Sequence, residues 1–222
     1  LQHPHLGTDK LKEIIPSIRN KIIKMGGEFR FSTKLTDIKI ENEKLVAVTL
    51  NDKEQLPCNI LVLAIGHSAR DTFHLLDDKN LLMESKPFAV GVRVMHYQKM
   101  IDKEQYQNKI KKAPYKLTYQ TKNHRGVYSF CMCPGGYVIN SASENNSLVV
   151  NGMSNYLRDS NTANSAIVVT VSKKDYGEGL FAGVKYQQEL EKKAYLKGNG
   201  KIPVEYYQDF LNKKITKKET DF

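Results

Sequence analysis

Two cysteines stand one residue apart in Phe130-Cys131-Met132-Cys133-Pro134-Gly135-Gly136, and a Pro-Gly-Gly turn follows at once. On a regular strand, alternation with period two would put both sulfurs on one face. Pro134 cannot continue a central strand, and the two glycines open backbone conformations closed to other residues. The stretch therefore predicts a hairpin tip with exposed amides at Gly135 and Gly136 and two thiols behind it. A thiol with a lowered pKa is a nucleophile or a redox group, which makes Cys131 and Cys133 candidates for catalysis. The competing reading is a tight turn with two small buried hydrophobes, because free Cys packs like one.

Other chemistries find less support. The two cysteines lack the two-residue spacer of a zinc knuckle, and no second Cys or His pair stands at ligand spacing, so no metal is expected. No Gly-x-Ser-x-Gly elbow is present to serve a hydrolase triad. The net charge of +10 invites a nucleic-acid reading, but 28 of the 34 basic residues are Lys, scattered over every segment, and only 6 are Arg. Solvated lysines explain that pattern without a groove-following stripe, and no nucleic-acid partner is expected. Three of the six arginines fall in motif-like stretches: Arg70, Arg93 and Arg158. In a chain that prefers Lys, such an Arg marks either a need for a planar, bidentate donor or a pair with a neighbouring carboxylate, Asp71 or Asp159.

The elements that must carry these residues fall into two patterns. Thr8 and Asp9 offer N-cap chemistry, and Leu11, Ile14, Ile15, Ile18 and Ile22 recur at helical spacing until Gly26-Gly27, with Pro16 expected to kink the helix. Phe29 and Phe31 suggest a short strand. Residues 38–40, 45–50 and 55–57 predict an antiparallel meander with turns at Asn42-Glu43 and Asn51-Asp52. The continuous apolar run Ile60-Leu61-Val62-Leu63-Ala64-Ile65 predicts a strand buried on both faces of a parallel sheet. After Lys86, strands are expected near residues 89–94, 115–120, 127–133, 137–141, 147–151 and 166–171, with helices over 183–196 and 204–213. A lysine-rich, frayed tail is expected over 212–219. The fold class is thus α+β, with domains at 1–84 and 85–222.

Four stretches together resemble a known family. They are Ala64-Ile65-Gly66-His67-Ser68-Ala69-Arg70-Asp71, Pro87-Phe88-Ala89-Val90-Gly91-Val92-Arg93, the Cys-Met-Cys-Pro-Gly-Gly turn, and Asn151-Gly152-Met153-Ser154 leading through Arg158-Asp159 to Asn164-Ser165-Ala166. In order, from about Pro4 to about Phe210, they resemble bacterial FAD-dependent proteins known as NAD(FAD)-utilizing dehydrogenases. The resemblance implies that residues 1–84 are part of an FAD lobe, made of helix, strand, small meander and buried strand. It implies that residues 85–222 are a mixed, mostly antiparallel substrate domain with C-terminal helices. Such flavoproteins carry a Gly-x-Gly-x-x-Gly turn for the pyrophosphate, and this chain has none. The expectation is a fragment of a longer flavoprotein, whose missing portion is its partner. The chain departs from the family at Met95-His96-Tyr97, where an acidic residue, His and Pro are usual; His96 and Tyr97 are expected to pack or cap.

Carried over by position, the cofactor candidates are Lys34, Leu35, Thr36, Gly66, His67, Ser68, Gly135 and Gly136. His67 is a catalytic candidate, or a loop His placed by hydrogen bonds. Arg158, with Asn151, Ser154, Asn164 and Ser165, would bind an anionic or polar small-molecule substrate, unless those residues only cap turns. The implied function is the substrate domain of an FAD-dependent oxidoreductase, inactive and flavin-free in isolation. The alternative is a non-catalytic binding or interaction module on the same fold. Three cysteines, an odd number, argue against a disulfide framework and fit a reducing cytoplasm. No stretch approaches the length needed to span a bilayer, so no membrane partner is expected.

Overall fold

Turn chemistry sets the first sheet. Asn42 and Glu43 take φ of 51° and 62°, and Asn51 and Asp52 take 51° and 57°. Paired left-handed residues form the two-residue turns whose twist matches that of the strands they join. Those strands are β1 (Leu35–Glu41), β2 (Lys44–Leu50) and β3 (Glu54–Pro57), an antiparallel meander in the order of the chain. Ile38, Ala47 and Val48 supply its buried side chains. The structure is a computed structural model that describes residues 5–107, 109 and 112–214. The tail expected beyond residue 214 lies outside the described residues.

The chain divides into two units. One runs from Ser17 to Glu84; the other joins Ser85 onward with the residues up to Pro16. Helix α1 (Thr8–Lys24) contains Pro16 and buries none of its residues. Its apolar stripe of Leu11, Ile15, Ile18 and Ile22 stays 38% to 58% exposed. Phe29 and Phe31 form no strand; their rings stack at 6.3 Å, with the Arg19 guanidinium over Phe31.

The buried strand expected over 60–65 is not formed. The run is irregular, and Ile60 and Val62 are 80% and 82% exposed. A strand exists only by pairing its amides and carbonyls, and the described residues offer this run no ladder. Helix α2 (Arg70–Asp78) follows it.

In the larger unit, β4 (Phe88–Tyr97) leads into α3 (Gln98–Tyr106). Then come β5 (Thr118–Gln120), β6 (Gly126–Cys133), β7 (Gly136–Asn140), β8 (Val150–Ser154) and β9 (Thr162–Val171). A four-stranded sheet runs β4-β9-β6-β5, all antiparallel, and β7 pairs with β8 as a separate ribbon. The central strand β9 is paired on both edges and holds Ala163, Asn164 and Ser165 with no exposed surface. Helices α4 (Lys173–Tyr176), α5 (Ala182–Lys197) and α6 (Tyr207–Asn212) complete the unit. The fold is α+β, with mostly antiparallel sheets. No helix among the described residues is long and apolar enough to cross a membrane.

Candidate functional site

The buried pair Asn164 and Ser165 faces an irregular stretch of β6. Phe130 pairs with Ala166, and Cys133 pairs with Asn164. Three steps along β6 answer two along β9, so β6 holds a one-residue bulge. Cys131 lies in it at φ 46°, a conformation rare for a residue with a side chain. The strict alternation that put both sulfurs on one face does not hold across a bulge. Cys131 is exposed, while Cys133 is half-buried with its Sγ 3.3 Å from the Cys131 carbonyl oxygen. Burial pushes the Cys133 thiol up, and the nearby Arg93 only partly opposes it. Cys133 is therefore a neutral thiol near neutral pH.

Arg93, on β4, is the hub of this cluster. Its Nη1 donates to Asn164 Oδ1 at 2.7 Å and to the Cys131 carbonyl at 3.2 Å, and its Nη2 donates to Asn151 Oδ1 at 3.3 Å. All three acceptors are neutral. Gly152 closes the cluster: a Cβ there would collide with Asn164 Oδ1, Arg93 Nη1 and Cys133 Sγ. Arg93 Nε and Asn164 Nδ2 are buried and make no hydrogen bond. Ser165 Oγ is 3.2 Å from the Phe130 carbonyl and 3.1 Å from that of Ala166, so this fully buried hydroxyl ties β6 to β9. Ser154 is likewise buried, opposite Gly136 in the β7–β8 ribbon. Tyr115 links His96 to this region, with its hydroxyl 2.9 Å from His96 Nε2 and bonded to Ser165. His96 thus packs, as the sequence predicts.

The Pro-Gly-Gly turn is not a tip with exposed amides. Pro134, Gly135 and Gly136 are buried, and the Gly135 amide donates to Gln98 Oε1 at 2.8 Å. Gln98 Nε2 in turn donates to Asp102 Oδ1 at 2.7 Å and to the Ala113 carbonyl at 3.1 Å, and the Ala113 amide donates to Asp102 Oδ1 at 2.8 Å. Burial pushes the Asp102 carboxyl up, but the Ala113 amide and Gln98 outweigh it and hold it below the ordinary range. With its amide taken, Gly135 is no free donor for a cofactor. Nothing in the sequence marks this network, because Gln98 and Asp102 are polar residues spaced by one helical turn.

The turn meets the Asn151–Ser165 segment. Gly135, at φ 53°, packs on the Arg158 carbonyl so closely that a Cβ would overlap it, and Thr162 Oγ1 donates to the Gly136 carbonyl at 2.9 Å. Arg158 sits at φ 52°, its amide bonded to the Asn155 carbonyl at 2.9 Å. Its guanidinium has no hydrogen-bond or ion-pair partner among the described residues, and its Nε is buried. The pairing with Asp159 does not form; Asp159 Oδ1 accepts from Asn155 Nδ2 instead.

In the smaller unit, Lys34 Nζ pairs with Asp71 Oδ2 at 2.6 Å, which ties the start of β1 to the first turn of α2. Each member shifts the other: Asp71 holds the Lys34 ammonium up, and Lys34 holds the Asp71 carboxyl down. Asp71 is thus an ion-pair partner of Lys34. Thr36 Oγ1 accepts from the Asp52 amide at 2.9 Å, and His67 Nε2 lies 3.3 Å from Ser68 Oγ. Gly66 stands at φ 70° in open space. His67 belongs to this unit, and Cys131 and Cys133 to the other. No group of three or more His, Cys, Asp or Glu among the described residues is gathered as metal ligands.

Residues 87–222 match the family model described as FAD-dependent protein, C-terminal domain-like. An uncharacterized protein of Clostridium beijerinckii is 46% identical over 223 residues, covering 96% of this chain. The chain spans about 42% of the length of that relative. The Cys-Met-Cys bulge and the Arg93 hub lie within the matched residues, and the chain belongs to this FAD-dependent protein family.

Proposed function

We propose that the chain carries the substrate domain of an FAD-dependent oxidoreductase together with part of its FAD lobe, completed by the remaining portion of the same flavoprotein. The observation that carries this is the exposed apolar run at 60–65, which ends at the open loop Gly66–Ser68. Such a run is stable as a strand only when neighbours cover both faces. The exposed α1 stripe has the same need.

The residues present fit one edge of the cofactor. Lys34, Leu35 and Thr36 are joined to the Gly66–Asp71 region by the Lys34–Asp71 pair, and Gly66 leaves open space where a ligand backbone approach is possible. Bound FAD supplies two-electron transfer, so the protein's own work is binding, orientation and shielding. Arg158, beside the Gly135 turn and without an ion-pair partner among the described residues, holds an anionic group of the substrate. Ser165 acts from within, by fixing the strand beneath.

The test compares this chain with the complete flavoprotein. The complete protein is expected to retain flavin absorbance through gel filtration, and this chain alone to be colourless. Retention of flavin by the chain alone overturns the partial-lobe reading. A complete protein without flavin overturns the oxidoreductase and leaves the interaction module.

A further inference from the structure

Arg93 is a half-buried cation that no carboxylate pairs with among the described residues; its partners are the side-chain oxygens of Asn164 and Asn151, the Cys131 carbonyl and the Cys133 thiol. A charge taken from water is costly unless an opposite charge meets it. The guanidinium's side edge, formed by Nε–H and the adjacent Nη2–H, is the fork that receives a carboxylate. Here Nε is buried and unbonded, and Nη2 makes only the longest of the three contacts, at 3.3 Å to the exposed Asn151. Asn164, with no exposed surface, adds a second unbonded buried donor on the same pair. The thiol beside them stays neutral through burial, so it does not repel an anion.

We propose that Arg93 anchors a carboxylate-binding subsite next to the Cys133 thiol, for a small ligand that bears a carboxylate. The subsite rests on the proposed function only in taking that ligand as a redox substrate; binding itself needs no flavin. Arg93 and Asn164 would hold the carboxylate, while the bulge at Cys131 opens β6 beside it. Gly152 keeps the wall bare, since any side chain there would displace the Arg93–Asn164 pair.

Iodoacetate and iodoacetamide test this on the chain as it stands. Each forms a carbon–sulfur bond as iodide leaves, and the thiol proton goes to solvent; only iodoacetate carries a carboxylate. Cys58 and Cys131 serve as internal controls in the same peptide map. The iodoacetate-to-iodoacetamide rate ratio at Cys133 is expected to exceed that at either control by about tenfold, as a forked Arg–carboxylate contact requires. Acetate is expected to protect Cys133 saturably. Arg93→Lys, which keeps the charge without the fork, is expected to bring the ratio down to the control value. The wild-type ratio and acetate protection decide the matter even if that variant fails to fold. A control-like ratio, protection by phosphate but not acetate, or a Cys133 that neither reagent reaches overturns the subsite. Those outcomes leave the flavin comparison untouched, so the two readings fail separately.

Discussion

A Cβ at position 152 would overlap Asn164 Oδ1, Arg93 Nη1 and Cys133 Sγ together. Two of those atoms form the cluster's shortest hydrogen bond, so neither can yield without breaking it. Gly152→Ala is therefore expected to lower stability by about 2 kcal/mol, as overpacking of a well-filled site does, with a lower urea midpoint at unchanged slope. An unchanged midpoint would show that the cluster rearranges freely. Arg158 gives the opposite expectation. It has no ion pair among the described residues, so Arg158→Lys should leave the urea midpoint of this chain within error. In the complete flavoprotein the same change should weaken substrate binding or turnover, because an ammonium cannot supply two parallel hydrogen bonds. Full activity in that variant would make Arg158 a backbone residue, kept for its turn at φ 52°.

Helix α3 is where an element does the site's mechanical work. Gln98 and Asp102 stand one turn apart, and through them the helix holds both the Ala113 backbone and the Gly135 amide. Asp102→Ala strands the Ala113 amide and a Gln98 donor, and is expected to cost about 1–3 kcal/mol. The pH dependence has a definite sign. The folded carboxyl titrates below its unfolded value, so its contribution is complete above the ordinary carboxylate range and is lost as pH falls through the folded value. The stability gap between wild type and Asp102→Ala should thus be flat near neutrality and narrow in acid. A gap that widens in acid would mean that burial dominates. This helix was invisible in the sequence for the same reason that it matters: its buried residues are polar, so no apolar period marks it. The meander was legible because Asn42, Asn51 and Asp52 name their own turns. The bulge was not, since nothing about Cys131 announces a positive φ. The run at 60–65 departs from its expected strand because strand preference is local, whereas a ladder needs partners that the described residues do not provide.

At the scale of the whole molecule, the two units differ in how well they cover their own apolar surface. The larger unit builds a four-stranded sheet around β9, with Ala163, Asn164 and Ser165 fully buried. The smaller unit buries Ile38, Ala47 and Val48, yet leaves Ile60, Val62 and Leu82 at 80% exposure or more. Exposed apolar groups of that size mark an interaction surface. If the remainder of the flavoprotein supplies the missing ladder, the backbone at 60–65 acquires hydrogen bonds that it lacks among the described residues. Amide hydrogen exchange reads that directly, since unbonded amides exchange almost freely and ladder amides wait for local opening. Peptides covering 60–65 are expected to exchange within the earliest time points in this chain and to slow by at least about a hundredfold in the complete flavoprotein. Peptides covering β9 should exchange alike in both, because their ladder is already built on both edges. Equal, fast exchange at 60–65 in both proteins would show that the run is never a strand. The partial-lobe reading would then lose the observation on which it stands.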